Sequence, residues 1–294
     1  MKQPEAAGFY SDGLRLDALF YAPAVTPSAA LVFCPGSRVT KQTPYYHEYI
    51  PRLVAGGFAV LLFDYRGWGE SEGAPGTLFP HEQVTDIRNA VTYLTTREEV
   101  DASRVGAVGM SMGGALAMAA AAADARIRAV VSVLGPMDGA QMLRDARREH
   151  EYVNLLGELE ADRVRRVLTG EGESAPDLAP PTPERSRTTA LSQAAIPPIP
   201  LACVEAIAEF RPIDVVSRIS PRAAMWIAAT RDPTCPVEHS RLAFAAAGSP
   251  RRLVEIDSAE HYGTYVRHMD EILGETVDWC TTHLAPVGLH VVAS

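Results

Sequence analysis

The chain has 294 residues, of which 47% are hydrophobic and 21% charged, a composition that predicts a globular protein with one large α/β core. Its net charge of -9 argues against long-range attraction to nucleic acid or to an anionic membrane. The four scattered cysteines fit neither a disulfide framework nor a zinc site. We expect no signal peptide and no membrane span, and hence a cytoplasmic protein. We also expect that it needs no metal or other cofactor.

Short apolar runs bounded by turn residues alternate with longer helical patterns, which predicts a mostly parallel, twisted sheet flanked by helices. The chain opens with a predicted hairpin, residues 8–10 and 14–21 around Asp12-Gly13, which would add antiparallel strands at one edge. Six strands follow at residues 29–34, 58–63, 104–108, 127–134, 223–229 and 251–256. Taken together they are mostly apolar, as expected for strands covered on both faces. Helices are predicted near residues 45–55, 81–95, 112–123, 237–247 and 265–283.

One connection, from Pro136 to about Pro221, is far longer than a simple crossover requires. Its first part, residues 138–168, is predicted to be helical with Asp138 as the N-cap, and its second part carries seven prolines between Pro176 and Pro200. We therefore predict a core domain of residues 1–136 and 211–294, interrupted by a helical and proline-rich cap of residues 137–210 over the C-terminal edge of the sheet. A disordered linker is the alternative.

The candidate nucleophile is Ser111, the centre of a Gly-x-Ser-x-Gly sequence, Gly109 to Gly113. The sequence follows an apolar run and opens a helix of small residues. Such a strand–turn–helix holds a serine in a strained turn with its hydroxyl exposed. The start of the helix also directs backbone N–H groups at the site, where they can stabilise an oxyanion. The motif on its own is a modest signal, and this context makes it a strong one.

A serine hydroxyl needs a base to take its proton and a carboxylate to orient that base. Among eight histidines, His261 follows the strand at residues 251–256 and would lie at the C-terminal edge of the sheet. His239, His268 and His283 fall within predicted helices and are interpreted as surface or packing residues. Asp232 ends the strand at residues 223–229 and is the favoured acid, while Asp138 is a competitor that also makes sense as a helix cap.

The oxyanion hole is predicted to combine the N–H of Met112 with one from the loop after the first core strand, Cys34-Pro35-Gly36-Ser37-Arg38. Ser37 is the predicted second donor, and Arg38 could serve as well. We assign no chemistry to Asp64 or Arg66, which are expected to brace the loop after the second core strand.

These segments together resemble the α/β-hydrolase superfamily, and within it the dienelactone-hydrolase-like and esterase-like serine hydrolases. The matching stretches are Phe33-Cys34-Pro35-Gly36-Ser37, Phe63-Asp64-Tyr65-Arg66-Gly67-Trp68-Gly69-Glu70-Ser71, residues 109–114, Asp232-Pro233-Thr234-Cys235-Pro236-Val237 and Glu260-His261-Tyr262. The resemblance spans residues 8–284 and leaves only the cap unmatched. Many relatives have histidine immediately before the glycine of the oxyanion loop, where this chain has Pro35.

We predict a hydrolase that cleaves a carboxylic ester or related small acyl compound through an acyl-enzyme on Ser111. The same three residues could instead hydrolyse a carbon–carbon bond of a β-diketone-like compound or transfer the acyl group to another acceptor. A binding protein, or a cyclase or isomerase on this fold, is a further alternative.

Met110 and Met112 beside the nucleophile predict an apolar, neutral substrate, with Arg38 and Arg231 the basic residues expected near the pocket. Monomer and homodimer both remain open.

Overall fold

The computed structural model describes residues 3–178 and 197–286. Its strands are β1 (Glu5–Ser11), β2 (Leu14–Tyr21), β3 (Ser28–Cys34), β4 (Ala59–Phe63), β5 (Val100–Met110), β6 (Ile127–Val133), β7 (Ser174–Ala175), β8 (Ile199–Pro200), β9 (Ala223–Ala229) and β10 (Arg251–Ile256). The helices are α1 (Tyr46–Ala55), α2 (Pro80–Thr95), α3 (Met112–Ala123), α4 (Gly139–Asp145), α5 (Glu149–Thr169), α6 (Leu201–Glu209), α7 (Val237–Ala246), α8 (Tyr262–Arg267) and α9 (Met269–His283).

Eight strands form one sheet in the order β1-β2-β4-β3-β5-β6-β9-β10. The pairs of β1 with β2 and of β2 with β4 are antiparallel, and every other pair in this sheet is parallel. All residues of β3, β4 and β9 are buried, as strands covered by helices on both faces require. The predicted fold class, a mostly parallel sheet flanked by helices, is confirmed.

The register of the parallel strands brings their C-terminal ends to one edge of the sheet. Cys34 pairs with Gly109, Met110 with Val133, and Ala229 with Ile256. The loops that follow β3, β5, β9 and β10 therefore meet at this edge. Each of these loops carries one of the residues predicted to do chemistry.

The predicted strands and helices differ from the observed ones mainly at their ends. Strand β5 begins at Val100 rather than at residue 104, and the single helix predicted over residues 265–283 begins at Tyr262 and is divided at His268 into α8 and α9. Helix α6 was not predicted, since the sequence indicated only that the prolines up to Pro200 exclude a continuous helix there. Its burial of Leu201, Cys203, Val204 and Ile207 gives it the apolar face of a packed helix.

The segment predicted to be a cap, which we call the insertion (residues 137–210), separates β6 from β9 in the chain. Its first part is helical as predicted, and the Asp138 side chain caps α4 by accepting a hydrogen bond from the Gln141 N–H at 3.0 Å. Strands β7 and β8 pair with each other in the proline-rich part. Residues 179–196, including three of the seven prolines, lie outside the described residues.

Candidate active site

Ser111 occupies a sharp turn between β5 and α3. Its backbone angles are φ +52° and ψ -128°, a conformation that L-residues adopt only when the surrounding structure holds them there. The Ser111 N–H donates to the carbonyl oxygen of Val133 on the neighbouring strand at 2.9 Å. The side chain is half-buried, so the hydroxyl remains open to a substrate. The turn has the geometry of a nucleophile elbow.

The two glycines of the motif are required by close contacts with backbone atoms. A Cβ added to Gly109 would lie 2.1 Å from the Gly113 carbonyl oxygen. A Cβ added to Gly113 would lie 2.1 Å from the Cys34 carbonyl oxygen and 2.3 Å from that of Pro35. Because none of these three carbonyl oxygens can move without moving the chain, α3 can pack this tightly against β5 and the loop after β3 only with glycine at both positions.

His261 and Asp232 meet Ser111 at this edge of the sheet. Nε2 of His261 lies 3.0 Å from Oγ of Ser111, and Nδ1 of the same ring lies 2.6 Å from Oδ2 of Asp232. Asp232 and His261 are both buried. Because Nδ1 faces a carboxylate, we place the imidazole proton on Nδ1, which donates to Asp232. Nε2 is then free of a proton and accepts the Ser111 O–H.

Asp232 and His261 are themselves fixed by their surroundings. Oδ1 of Asp232 accepts the backbone N–H groups of Thr234 at 2.7 Å and Cys235 at 2.9 Å, which leaves Oδ2 for the histidine. The His261 ring is flanked edge-to-face by the rings of Tyr262 and Tyr265, with centroids 5.0 and 5.4 Å away. The imidazole is therefore held by aromatic packing as well as by the carboxylate.

The competing residues are engaged elsewhere. Asp138, besides capping α4, forms an ion pair with Arg211. His239 is buried in α7, where its Nδ1 accepts the Met137 N–H at 3.2 Å and its Nε2 faces Asp145. Burial lowers the pKa of His239, against the opposing effect of Asp145 and Asp138. His239 thus fits the packing role predicted for it and links α7 to the start of the insertion.

The loop after β3, residues 35–41, runs beside the nucleophile. A Cβ added to Gly36 would lie 3.4 Å from Cβ of Ser111 and 3.3 Å from the Met110 carbonyl oxygen. The Gly36 N–H donates to the hydroxyl of Tyr46 at 3.0 Å. Gly36 is therefore already committed as a donor, while the assignment of Ser37 as the second oxyanion donor stays a prediction.

The far end of the 35–41 loop is anchored by a buried lysine that we did not single out from the sequence. Nζ of Lys41 lies 2.8 Å from Asp17, 2.8 Å from Asp64 and 2.7 Å from Glu70, and the Lys41 N–H donates to Asp64 at 2.6 Å. Burial lowers the pKa of Lys41, but the three carboxylates outweigh it and the net shift is upward. The scarcity of lysine in the chain, Lys2 and Lys41 alone, was a signal that could have drawn attention to it.

Asp64 and Arg66 have the bracing role expected of them. Asp64 accepts from Lys41, and Arg66 forms a short ion pair with the buried Asp86 at 2.6 Å.

The two basic residues expected near the pocket, Arg231 and Arg38, also have acidic partners. Arg231 pairs with Asp257 at 2.8 Å, where both side chains are exposed, and Arg38 pairs with Asp177 of the insertion at 2.5 Å.

A sequence model of the Alpha/beta hydrolase family matches residues 31–275, which is most of the chain. The chain belongs to this family. Its members include esterases and thiohydrolases, which are enzymes, and a hydrolase or acyltransferase role fits the family's known activities. The strand order, the elbow and the positions of Ser111, Asp232 and His261 along the chain agree with α/β hydrolase architecture.

Several relatives are similar over most of their length. An uncharacterised 31.7 kDa protein of Escherichia coli is 27% identical over 234 residues, covering 78% of this chain and 82% of that protein. Thiohydrolase aneE of Aspergillus aculeatus is 25% identical and covers 86% and 84% of the two chains. The crystal structure of the α/β hydrolase GrgF from Penicillium superposes with a TM-score of 0.81 at 23% identity, covering 97% of this chain and 100% of that one. The structural likeness supports the shared fold.

None of the helices in residues 3–178 and 197–286 has the length and apolar character needed to span a bilayer.

Proposed function

We propose that this α/β hydrolase is a serine hydrolase that cleaves a carboxylic ester or a related small acyl compound. The observation that carries the proposal is the chain of contacts from Ser111 Oγ to His261 Nε2 at 3.0 Å and from His261 Nδ1 to Asp232 at 2.6 Å. Each group has the partner that its role requires: a nucleophile beside a base, and a base beside a buried carboxylate.

In the proposed reaction, Oγ of Ser111 attacks the carbonyl carbon of the substrate while Nε2 of His261 takes the hydroxyl proton. Asp232 stabilises the imidazolium that forms. His261 then gives the proton to the leaving oxygen, whose bond to carbon breaks to leave an acyl-Ser111. Water attacks the acyl group with His261 again as the base, and the carboxylic acid product leaves as free Ser111 is restored.

The negative charge on the carbonyl oxygen is held, in this proposal, by the backbone N–H groups of Met112 and Ser37. Met112 is the first residue of α3, and the first N–H groups of a helix have no partner within the helix. Ser37 follows Gly36, which packs against Ser111. Preorganised donors of this kind contribute about 10²–10³ in kcat, or roughly 3–4 kcal/mol.

We further propose that residues 137–210 act as a cap and residues 1–136 and 211–294 as the catalytic core. Support comes from contacts between the insertion and the loops at the C-terminal edge: Asp177 pairs with Arg38, and the Leu78 N–H donates to the sulfur of Cys203 at 3.2 Å. Buried apolar residues Met110 and Met112 beside the nucleophile favour a neutral, apolar acyl group. Both arginines near this edge are already paired, so neither is a ready partner for an anionic substrate.

A thioester is the second candidate substrate, and acyl transfer to an acceptor other than water the second candidate reaction. The relatives favour both: thiohydrolase aneE, and the polyketide transferase grgF of Penicillium, which is 25% identical over 290 residues and covers 93% and 94% of the two chains. The chemistry at Ser111 is the same for an ester and a thioester up to the leaving group, a thiol in place of an alcohol.

The test is a matched screen of p-nitrophenyl esters and the corresponding thioesters from two to ten acyl carbons, with wild type and Ser111→Ala in parallel. We expect turnover of at least one series by wild type and none above background by Ser111→Ala. Product analysis with added alcohol or amine distinguishes hydrolysis from transfer. Turnover that survives in Ser111→Ala would contradict the proposal.

A further inference from the structure

Arg38 joins the 35–41 loop to two segments of the insertion, one at Asp177 and one at Pro197. Its Nη1 pairs with the carboxylate of Asp177 at 2.5 Å, and its Nη2 donates to the carbonyl oxygen of Pro197 at 3.3 Å. We call Asp177, Pro197 and the paired strands β7 and β8 the stem of the insertion. One guanidinium therefore holds both sides of the stem.

The environment of this ion pair is largely withdrawn from water. The Arg38 side chain is 9% exposed and that of Asp177 is 28% exposed. By contrast, the Arg231–Asp257 pair at the same edge of the sheet is 66% and 86% exposed. Because water screens the exposed pair, the Arg38 pair has the stronger and more directional interaction of the two.

The backbone of Arg38 is coupled to the nucleophile through two neighbours. Arg38 follows Ser37 directly, and Gly36 lies so close to Ser111 that a Cβ added to Gly36 would be 3.4 Å from Cβ of Ser111. Arg38 itself holds φ at +62°, the left-handed region that costs a non-glycine residue about 1–2 kcal/mol and that persists only where contacts impose it. The contacts that its side chain makes with the stem are among those that hold this conformation.

We propose that Arg38 is a positioning residue that couples the insertion to the oxyanion hole. The proposal rests on the proposed function, in which the Ser37 N–H is an oxyanion donor. When Arg38 is bound to Asp177 and Pro197 of the stem, its guanidinium fixes the turn at residue 38 and with it the Ser37 amide. When the pair is lost, the amide is no longer held for the transition state, while the surfaces that bind the ground-state substrate are unchanged. The effect therefore falls on kcat rather than on KM.

The test compares two matched sets of variants on a substrate that the wild type turns over. The first set is Arg38→Met, Asp177→Asn and their combination. The second is Arg231→Met, Asp257→Asn and their combination, an exposed pair whose arginine directly precedes the proposed catalytic acid, Asp232. For each variant we would measure kcat, KM and inhibition by phenylboronic acid, which adds to the serine oxygen and puts a tetrahedral boronate oxygen in the oxyanion hole. Thermal unfolding checks that each variant is folded.

We expect Arg38→Met to lower kcat about tenfold, less than the full loss of an oxyanion donor, with KM within about threefold. Boronate inhibition should weaken by the same factor as kcat, a readout that loss of packing alone would not reproduce. Asp177→Asn should act in the same direction, and the double variant should be no worse than Arg38→Met, because the two residues share one interaction. The Arg231 and Asp257 variants should stay within about twofold of wild type.

Two results would overturn the coupling: Arg38→Met behaving like Arg231→Met, or Arg38→Met raising KM with kcat and boronate inhibition unchanged. If Arg38→Met does not fold, Asp177→Asn decides, because it changes one functional group and leaves the arginine in place. A failure of the proposed function is a separate outcome: wild type would then have no Ser111-dependent turnover, and the ratio between the two sets of variants would not be defined.

Discussion

The nucleophile elbow, residues 109–113, and the 35–41 loop lie against each other, yet they are held by different physical means. The elbow is fixed by steric contact between backbone atoms, with Gly109 and Gly113 admitting approaches that any side chain would block. The 35–41 loop is fixed by polar side chains: the Tyr46 hydroxyl on Gly36, the Lys41 cluster at its far end, and Arg38 on the insertion.

This difference has consequences for how each region responds to change. A sterically fixed turn tolerates only glycine at its close contacts. Because these contacts are with backbone atoms, they do not depend on the identity of distant side chains. A loop held by charge and hydrogen bonds depends on partners from β2, the loop after β4, α1 and the insertion, and it can be altered in steps by changing one partner at a time. The elbow holds the nucleophile in a fixed position, and the position of the loop beside it can be changed by substituting single side chains.

The largest expected effect is on the residues that serve the elbow from other strands. His261→Ala or Asp232→Ala should lower kcat by a factor on the order of 10³ or more with the fold retained, because the serine loses its base or the base loses its orienting carboxylate. Asp138→Ala is the control: it removes a helix cap and an ion pair with Arg211 and should cost far less activity. Steady-state kinetics on purified variants measures this. A crippling Asp138→Ala with a mild Asp232→Ala would show that the acid is misassigned.

The steric account of the elbow is tested by adding one methyl group. Gly113→Ala would place a Cβ 2.1 Å from the Cys34 carbonyl oxygen, so we expect a loss of about 3 kcal/mol or more in the free energy of unfolding, together with loss of activity. Gly274→Ala is the matched control in α9, where a Cβ would meet no atom within 4 Å. The control should be neutral or slightly stabilising, since alanine favours a helix over glycine. Urea unfolding compares the two, and equal stabilities would contradict the steric account.

The polar account of the 35–41 loop is tested at Lys41. Lys41→Met leaves three carboxylates without their shared cation, and we expect a loss of about 2–3 kcal/mol in the free energy of unfolding. This is below the roughly 3–5 kcal/mol of a fully buried pair, because Asp17 is partly exposed and Glu70 is exposed. Arg252→Met, which breaks exposed pairs with Glu275 and Asp278, should cost about 0–1 kcal/mol. Urea unfolding at low and high salt distinguishes them. A Lys41→Met variant as stable as Arg252→Met would show that Lys41 does not stabilise the loop.

The same difference explains which parts of the molecule could be predicted from the sequence. The elbow was predictable because its determinants, a strand, Gly109, Ser111, Gly113 and a helix of small residues, are consecutive in the chain. His261 and Asp232 were predictable as candidates because each follows a recognisable strand by a few residues, and parallel strands bring their ends to one edge.

The features that could not be predicted depend on contacts between distant residues. Nothing local to Lys41 indicates that Asp17, Asp64 and Glu70 converge on it, and nothing local to Arg38 indicates Asp177. Helix α6 was missed because the prolines before it argue against a helix locally. The helix is stabilised instead by the burial of its apolar face against the rest of the protein. The assignment of Ser37 rather than Arg38 as the oxyanion donor stays a prediction for the same reason: the backbone of this loop is set by side chains from elsewhere.

The central claim is that Ser111 is an activated nucleophile. It is tested most directly by labelling the intact protein with a fluorophosphonate probe and locating the adduct by peptide mass spectrometry. Because only a serine with a positioned base attacks phosphorus quickly, the account predicts a single adduct on Ser111, lost in Ser111→Ala and strongly slowed in His261→Ala. Intact protein that is not labelled, or Ser111→Ala that labels as fast as wild type, would contradict it.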